Sequence, residues 1–242
     1  MVYYGLVFLG IGGYLFFNSF THHKKKRIIE STPTSKIRSL AMGRVEVNGN
    51  PYPSDKIITA PFSGTKCSYC KWTIEEYRRQ GKNSHWVVLK HGSIGRYFYV
   101  QDDTGSVLVD TAGAKMDIPE TFKTYSRNDN IIKFLQRQNI NHKGFFGLHK
   151  KMRFTEEVLS KETGIYVMGH AGDNPFVEDG TSHKNEIDIM IHKKKKEPFY
   201  ISNKHEKDIL RGLKLRVNGG FLGGGALIVF GLYLLFAKLN IL

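Results

Sequence analysis

Residues 96–110 read RYFYVQDDTGSVLVD. Apolar and polar residues alternate on both sides of the loop Asp102-Asp103-Thr104-Gly105, and Gly105 is free to take a positive φ. That pattern predicts a β-hairpin. Working outward, the chain offers more short strands bounded by turn residues. GRVEVNG (43–49) alternates with Val45 and Val47 on one face, and Asn48-Gly49 predicts a tight turn after it. KIITAPFSG stops at Pro61, which cannot donate to a central ladder. KCSYCKWTIEEY, HWVVLKH, IYVMGH, IDIMIH and FYIS read as further strands, with AGDNPFVEDGTSHKNE as a polar loop. NDNIIKFLQRQNI predicts a helix capped by Asn128 or Asp129, with Ile131, Ile132 and Leu135 on one face. STPTSKIRSLAMG predicts a short helix or turn, and GFFGLHKKMRFTEEVLSKETG one or two helical turns. Many short strands with mostly local connections predict an α+β fold, mainly antiparallel, built on an OB-like small barrel with flanking helices.

The charge is distributed unevenly around this core. The 242-residue chain carries 36 Lys and Arg against 22 Asp and Glu, a formal net charge of +14. All the acidic residues and all the basic ones except Lys238 fall within 21–216. The two uncharged ends, Val2–Phe20 and Val217–Ala237, are long enough to cross a hydrocarbon core of about 30 Å at 1.5 Å rise per residue. A cleaved signal peptide is the alternative for the first, but it lacks a basic n-region and a small-x-small site before THHKKKR. A buried core helix is the alternative for the second, but that segment has no polar face. Domain boundaries follow: a transmembrane helix at 1–20, a basic juxtamembrane linker at 21–34, the barrel domain at 35–205, a basic amphipathic helix at 206–216 and a second transmembrane helix at 217–237. Asn203 and Glu206 have capping-box spacing into the basic helix. Gly219, Gly220, Gly223 and Gly224 have the small-xxx-small spacing that lets a second helix approach.

Lys24, Lys25, Lys26 and Arg27 follow the first span, and Arg211, Lys214 and Arg216 precede the second. The positive-inside rule therefore predicts an integral membrane protein with a cytoplasmic central domain and both termini outside. These seven residues are the candidate contacts to anionic headgroups, each worth about 1 kcal/mol near an anionic leaflet. Lys193–Lys196 belong to a turn that can either contact lipid or stay solvated. Tethering at both ends argues against nucleic acid as partner.

Signals for chemistry are sparse. Cys67 and Cys70 are the only cysteines, and zinc needs about four ligands, so no metal and no cofactor is expected. On a continuous strand, residues three apart point to opposite faces, which predicts one thiol packed and the other facing solvent or a helix. A reducing cytoplasm disfavours a disulfide between them. Asp103-Thr104-Gly105 matches the D-T-G of aspartic proteases, with Asp110-Thr111-Ala112-Gly113 only a loose second copy. An Asp- and Gly-rich hairpin loop explains it without catalysis. No Ser/His/Asp, Walker-type or H-E-x-x-H pattern is present, and no catalytic residue is assigned.

Taken in order, SKIRSLAMGRVEVNG, APFSGTKC, RYFYVQDDTGSVLVDTAGA and RFTEEVLSKETGIYVMGHA carry the blocks G-x-V-x-V-x-G, A-P-x-S-G-x-x-C and D-x-T-G. The run, roughly 35–205, resembles the GIDE domain, also called BAM for beside a membrane, of MULAN-type mitochondrial E3 ubiquitin ligases. The resemblance implies a span, a partner-binding domain and a second span, followed in those ligases by a zinc-binding RING. Only Lys-Leu-Asn-Ile-Leu follow Ala237, and two cysteines cannot hold the zinc of a RING. The leading expectation is therefore a non-catalytic membrane scaffold that binds lipid headgroups and a protein partner. The alternative is a component of protein ubiquitination whose RING activity comes in trans, with a RING or ubiquitin-like protein as partner. A third reading, an unrecognised membrane-tethered hydrolase, has no visible catalytic set.

Overall fold

The computed structural model describes residues 2–143, 149–177, 188–204 and 206–238. The chain divides into two units: residues 34–203, and a second unit made of both ends, 1–33 with 204–242.

The predicted hairpin is present as β6 (Tyr97–Gln101) and β7 (Ser106–Asp110), paired antiparallel from Tyr97 opposite Asp110 to Gln101 opposite Ser106. β1 (Gly43–Pro53), β11 (Ile165–Asp173) and β12 (Ile189–His192) complete a closed, mixed five-stranded barrel in the order β1-β6-β7-β12-β11 and back to β1. Only the β12–β7 contact in the ring is parallel. This is the OB-like barrel that the strand pattern predicts. Val45, Val47, Phe98, Val100, Val107, Val109, Val167 and Ile191 fill it from alternating positions. Each such fully buried side chain contributes about 1.5–3 kcal/mol. β13 (Tyr200–Ser202) pairs with β11 and with β8 (Lys115–Asp117) outside the ring.

The predicted turn at Asn48-Gly49 does not form. β1 runs straight through it, pairing with β11 up to Gly49 and with β6 from Asn50 onward. The glycine serves a close approach instead: a Cβ on Gly49 would lie 2.4 Å from the backbone oxygen of Gln101. Barrel closure, not reversal, uses this residue. The outward position between the two valines also differs from simple alternation. Glu46 is fully buried, accepting hydrogen bonds from Thr34 Oγ1 at 2.6 Å and Tyr166 Oη at 2.8 Å.

A second sheet grows from insertions into the barrel, in the order β5 (Asn83–Ile94), β4 (Tyr69–Gln80), β10 (Met152–Leu159) and β9 (Phe122–Thr124). β4 and β5 form a long hairpin between β1 and β6, with Gly81 at φ +62° in its turn. β9 and β10 lie between β7 and β11. Of the helical turns expected in GFFGLHKKMRFTEEVLSKETG, residues 144–148 lie outside the described residues and Met152–Leu159 form a strand instead. Met152, Phe154, Glu156 and Val158 are buried at period two, since β10 is clamped between β4 and β9. The predicted helix is α2 (Asp129–Arg137), whose N-cap Asn128 accepts from the Ile131 N–H. Ile131 and Leu135 of α2 join Phe62, Trp72, Ile74, Met152 and Phe154 in a second core. The predicted short helix is a single 3-10 turn, Ile37–Ser39. The loop expected at 171–186 and the capping box at Asn203 lie partly outside the described residues.

In the other unit, α1 (Val2–Glu30) continues through the basic collar, and α3 (Glu206–Lys238) makes the basic segment and the apolar segment one helix. Both helices are long and apolar enough to cross a membrane, and little of either is buried. They pack together where side chains are small. A Cβ on Gly224 would sit 2.8 Å from the backbone oxygen of Gly12, and one on Gly231 would sit 2.9 Å from that of Gly5.

Candidate functional site

The sequence blocks that look most like chemistry are occupied by architecture. Asp102 accepts from the N–H groups of Ile37, Thr104 and Gly105 and from the Thr104 hydroxyl, at 2.7–3.0 Å. Burial opposes ionisation of Asp102, yet these donors hold its carboxyl below the usual aspartate value. The neighbouring Asp103 is an exposed partner of Lys36. Asp110, in the loose second copy, is forked by Arg96 at 3.0 and 2.9 Å and receives the Ala112 N–H. Burial again opposes, and Arg96 together with that N–H brings the Asp110 carboxyl below its ordinary value. Asp102 and Asp110 thus order their loops, and Asp103, the aspartate of the D-T-G match, is exposed and held by Lys36.

The A-P-x-S-G-x-x-C block behaves alike. Ala60 and Gly64 close a turn through Gly64 N–H to Ala60 O at 3.0 Å, with Gly64 at φ +77°. The buried carboxylate of Glu156 receives the N–H groups of Phe62 at 2.5 Å and Ser63 at 3.1 Å. Phe62 then meets Trp72, Phe134 and Phe154 edge-on at centroid distances of 5.4–6.4 Å.

Cys67 and Cys70 do not point apart as a continuous strand would require. The chain breaks at Ser68, whose N–H bonds Leu159 O at 2.9 Å, between β3 (Lys66–Cys67) and β4. Both thiols are buried in one small cluster with Ala60 and Val158. Burial, reinforced by the Glu156 carboxylate, pushes the Cys67 thiol up to about 11 and moves Cys70 upward as well. Thiolate is scarce at neutral pH, so the pair packs and does not attack. Among the described residues, no group of three or more His, Cys, Asp or Glu could hold a metal ion.

Of the expected membrane contacts, Lys24, Arg27, Arg211, Lys214 and Arg216 are exposed, and Lys25 and Lys26 are partly so. Lys26 pairs with Glu30 at 3.2 Å. The α1–α3 register brings Ser19 against Gly220, which puts the two basic clusters at the same end of the helix pair. Gly220 and Gly224 face α1, whereas Gly219 and Gly223 have nothing within 4 Å of an added Cβ. Lys193–Lys196 form an exposed turn with Lys196 at φ +68°.

The strand pattern did not reveal a cationic and aromatic surface on the outer face of the second sheet. Trp86 of β5 lies opposite Tyr77 of β4, with ring centroids 5.1 Å apart, and Tyr125 lies 5.7 Å away. The Arg153 guanidinium sits 4.5 Å over Trp86, and Lys151 Nζ sits 4.6 Å over Tyr77. Glu75 holds Arg153 in place through paired contacts at 2.5 and 2.6 Å. Tyr77, Val88 and Tyr125 remain substantially exposed. The only cue in the sequence was Tyr77 and Trp86 placed symmetrically about the Gly81 turn.

The described residues thus form an OB-like barrel carrying an inserted sheet, in a chain with two long apolar helices. The family model GIDE, described as E3 ubiquitin ligase, matches residues 72–236, and the chain belongs to this family. The match starts at Trp72, after the G-x-V-x-V-x-G and A-P-x-S-G-x-x-C blocks, and extends through α3. No curated protein and no solved structure matches the chain.

Proposed function

We propose that this GIDE-family chain is a membrane-anchored, non-catalytic scaffold whose barrel domain binds a protein partner at the bilayer surface. The observation that carries the reading is the outer surface of the α1–α3 pair. Tyr3, Phe17, Leu222 and Val229 are 67–76% exposed there, a surface that water tolerates poorly and lipid solvates. The basic clusters at one end of the pair favour a cytoplasmic barrel with both termini outside, and they suit anionic headgroups. Two tethers would raise the local concentration of the barrel against membrane-borne partners. Topology labelling tests this. In intact cells an impermeant maleimide should label Leu242→Cys, beyond the second span, and spare Asn83→Cys, and permeabilisation should expose the latter. Labelling of Asn83→Cys in intact cells would refute the orientation.

Family membership favours a second reading, a part in ubiquitin conjugation with RING chemistry supplied from outside these 242 residues. Under either reading the purified chain, given activating and conjugating enzymes, should form no ubiquitin conjugates without an added RING protein. Conjugation without one would show that a reaction centre has been missed.

A further inference from the structure

We propose that the free edge of β5 is a strand-addition site for an extended acidic peptide, which pairs along the edge and lays alternate apolar side chains on Trp86 and Val88. This names the partner of the scaffold reading and rests on it. The edge is unusually long. β5 has 12 residues, against about 5–6 for an ordinary strand, and it pairs only with β4. Among the described residues, no backbone hydrogen bond joins β5 to anything but β4. An antiparallel strand turns alternate N–H and C=O groups away from its neighbour, so β5 offers a row of donors and acceptors to a second strand.

The charges around the edge select the occupant. Glu75 is held by Arg153, and Glu76 by Arg78 and Lys150. Among the described residues Arg79, Lys82 and Lys90 have no carboxylate partner, Arg79 touching only Gly81 O and Lys90 only Gln138 O. A second copy of β5 would set these cations against their own kind, which disfavours self-pairing. An acidic peptide meets opposite charge along the same edge. Side-chain placement agrees. Trp86 and Val88 lie on the outer face opposite Tyr77 and Glu75, while Lys90 lies opposite the buried Ile74 on the other face. A strand that alternates apolar and acidic residues would therefore place its apolar side chains on Trp86 and Val88 and its acidic ones on the face of Lys90. A lipid surface could cover the aromatics but has no backbone to complete the ladder.

The test uses the full chain in phosphatidylcholine nanodiscs and a fluorescein-labelled peptide of alternating Glu and Val, as long as β5. Binding is read by anisotropy. N-methylation of one alternating set of peptide nitrogens, Glu or Val, should weaken binding at least about tenfold, and methylation of the other set should not, because only one set faces β5. Trp86→Ala should weaken it several-fold, and Lys82→Glu with Lys90→Glu about tenfold, with the circular dichroism of the barrel unchanged. Equal binding of both methylated peptides overturns the proposal, as does no binding of the parent peptide at roughly 1 mM. Capture by phosphatidylserine vesicles that depends on Trp86, with no peptide bound, overturns it in favour of a lipid surface. The topology result stands whichever way the ladder test falls.

Discussion

Replacing Glu156 with alanine is expected to lower the unfolding midpoint of the barrel domain by roughly 10 °C. The carboxylate is fully buried and receives the N–H groups of Phe62 and Ser63, and nothing else in the described structure satisfies these donors. Leaving them unpaired costs about 3 kcal/mol, a large share of a typical stability of about 5–15 kcal/mol. The damage spreads because Phe62 anchors the second core through Trp72, Phe134 and Phe154. Glu156→Gln should fall between, since one amide oxygen can still accept while its NH2 opposes the other N–H. The neighbouring Glu157→Ala is the contrast. Its partner Lys71 is partly exposed, and such pairs are worth about 0–1 kcal/mol. Near-UV circular dichroism of the full chain in detergent would report the three midpoints. Equal shifts for Glu156→Ala and Glu157→Ala would mean that the buried carboxylate does not hold the loop.

Gly224→Ile should separate α1 from α3 in a bilayer, and Gly223→Ile one residue away should not. A Cβ on Gly224 would lie 2.8 Å from Gly12 O and 2.8 Å from Phe16 N, both backbone atoms that cannot swing aside. On Gly223 it would meet nothing within 4 Å. Overpacking of this kind costs about 1–3 kcal/mol, a roughly 5- to 150-fold shift in helix pairing. The readout is the yield of a short bis-maleimide bridge between Phe8→Cys and Phe230→Cys, at rings whose centroids lie 5.3 Å apart. Gly224→Ile should reduce that yield about fivefold or more. An undiminished yield would mean that the helices do not pack along the glycine face.

Much of this molecule is legible in local pattern. The hairpin at 97–110, the α2 helix with its Asn128 cap, and two long apolar helices follow from periodicity and composition, because each is stabilised by neighbours in sequence. The surface on the second sheet was hidden for the opposite reason. Tyr77, Trp86, Tyr125, Lys151 and Arg153 come from three separate segments, and only pairing of β4 with β5 and β10 assembles them. The same holds for β10, whose residues suit a helical turn until two neighbouring strands clamp them.

The sequence by itself determined the two apolar helices and the basic clusters beside them, since hydropathy and charge are properties of composition. Only the tertiary structure decided what the conspicuous motifs do. Gly49 and Glu156 owe their roles to backbone groups distant in the chain, and Asp102 ties its own loop to the distant Ile37 N–H. Asp102, beside a motif that resembles a protease signature, becomes a loop anchor because three N–H groups converge on it.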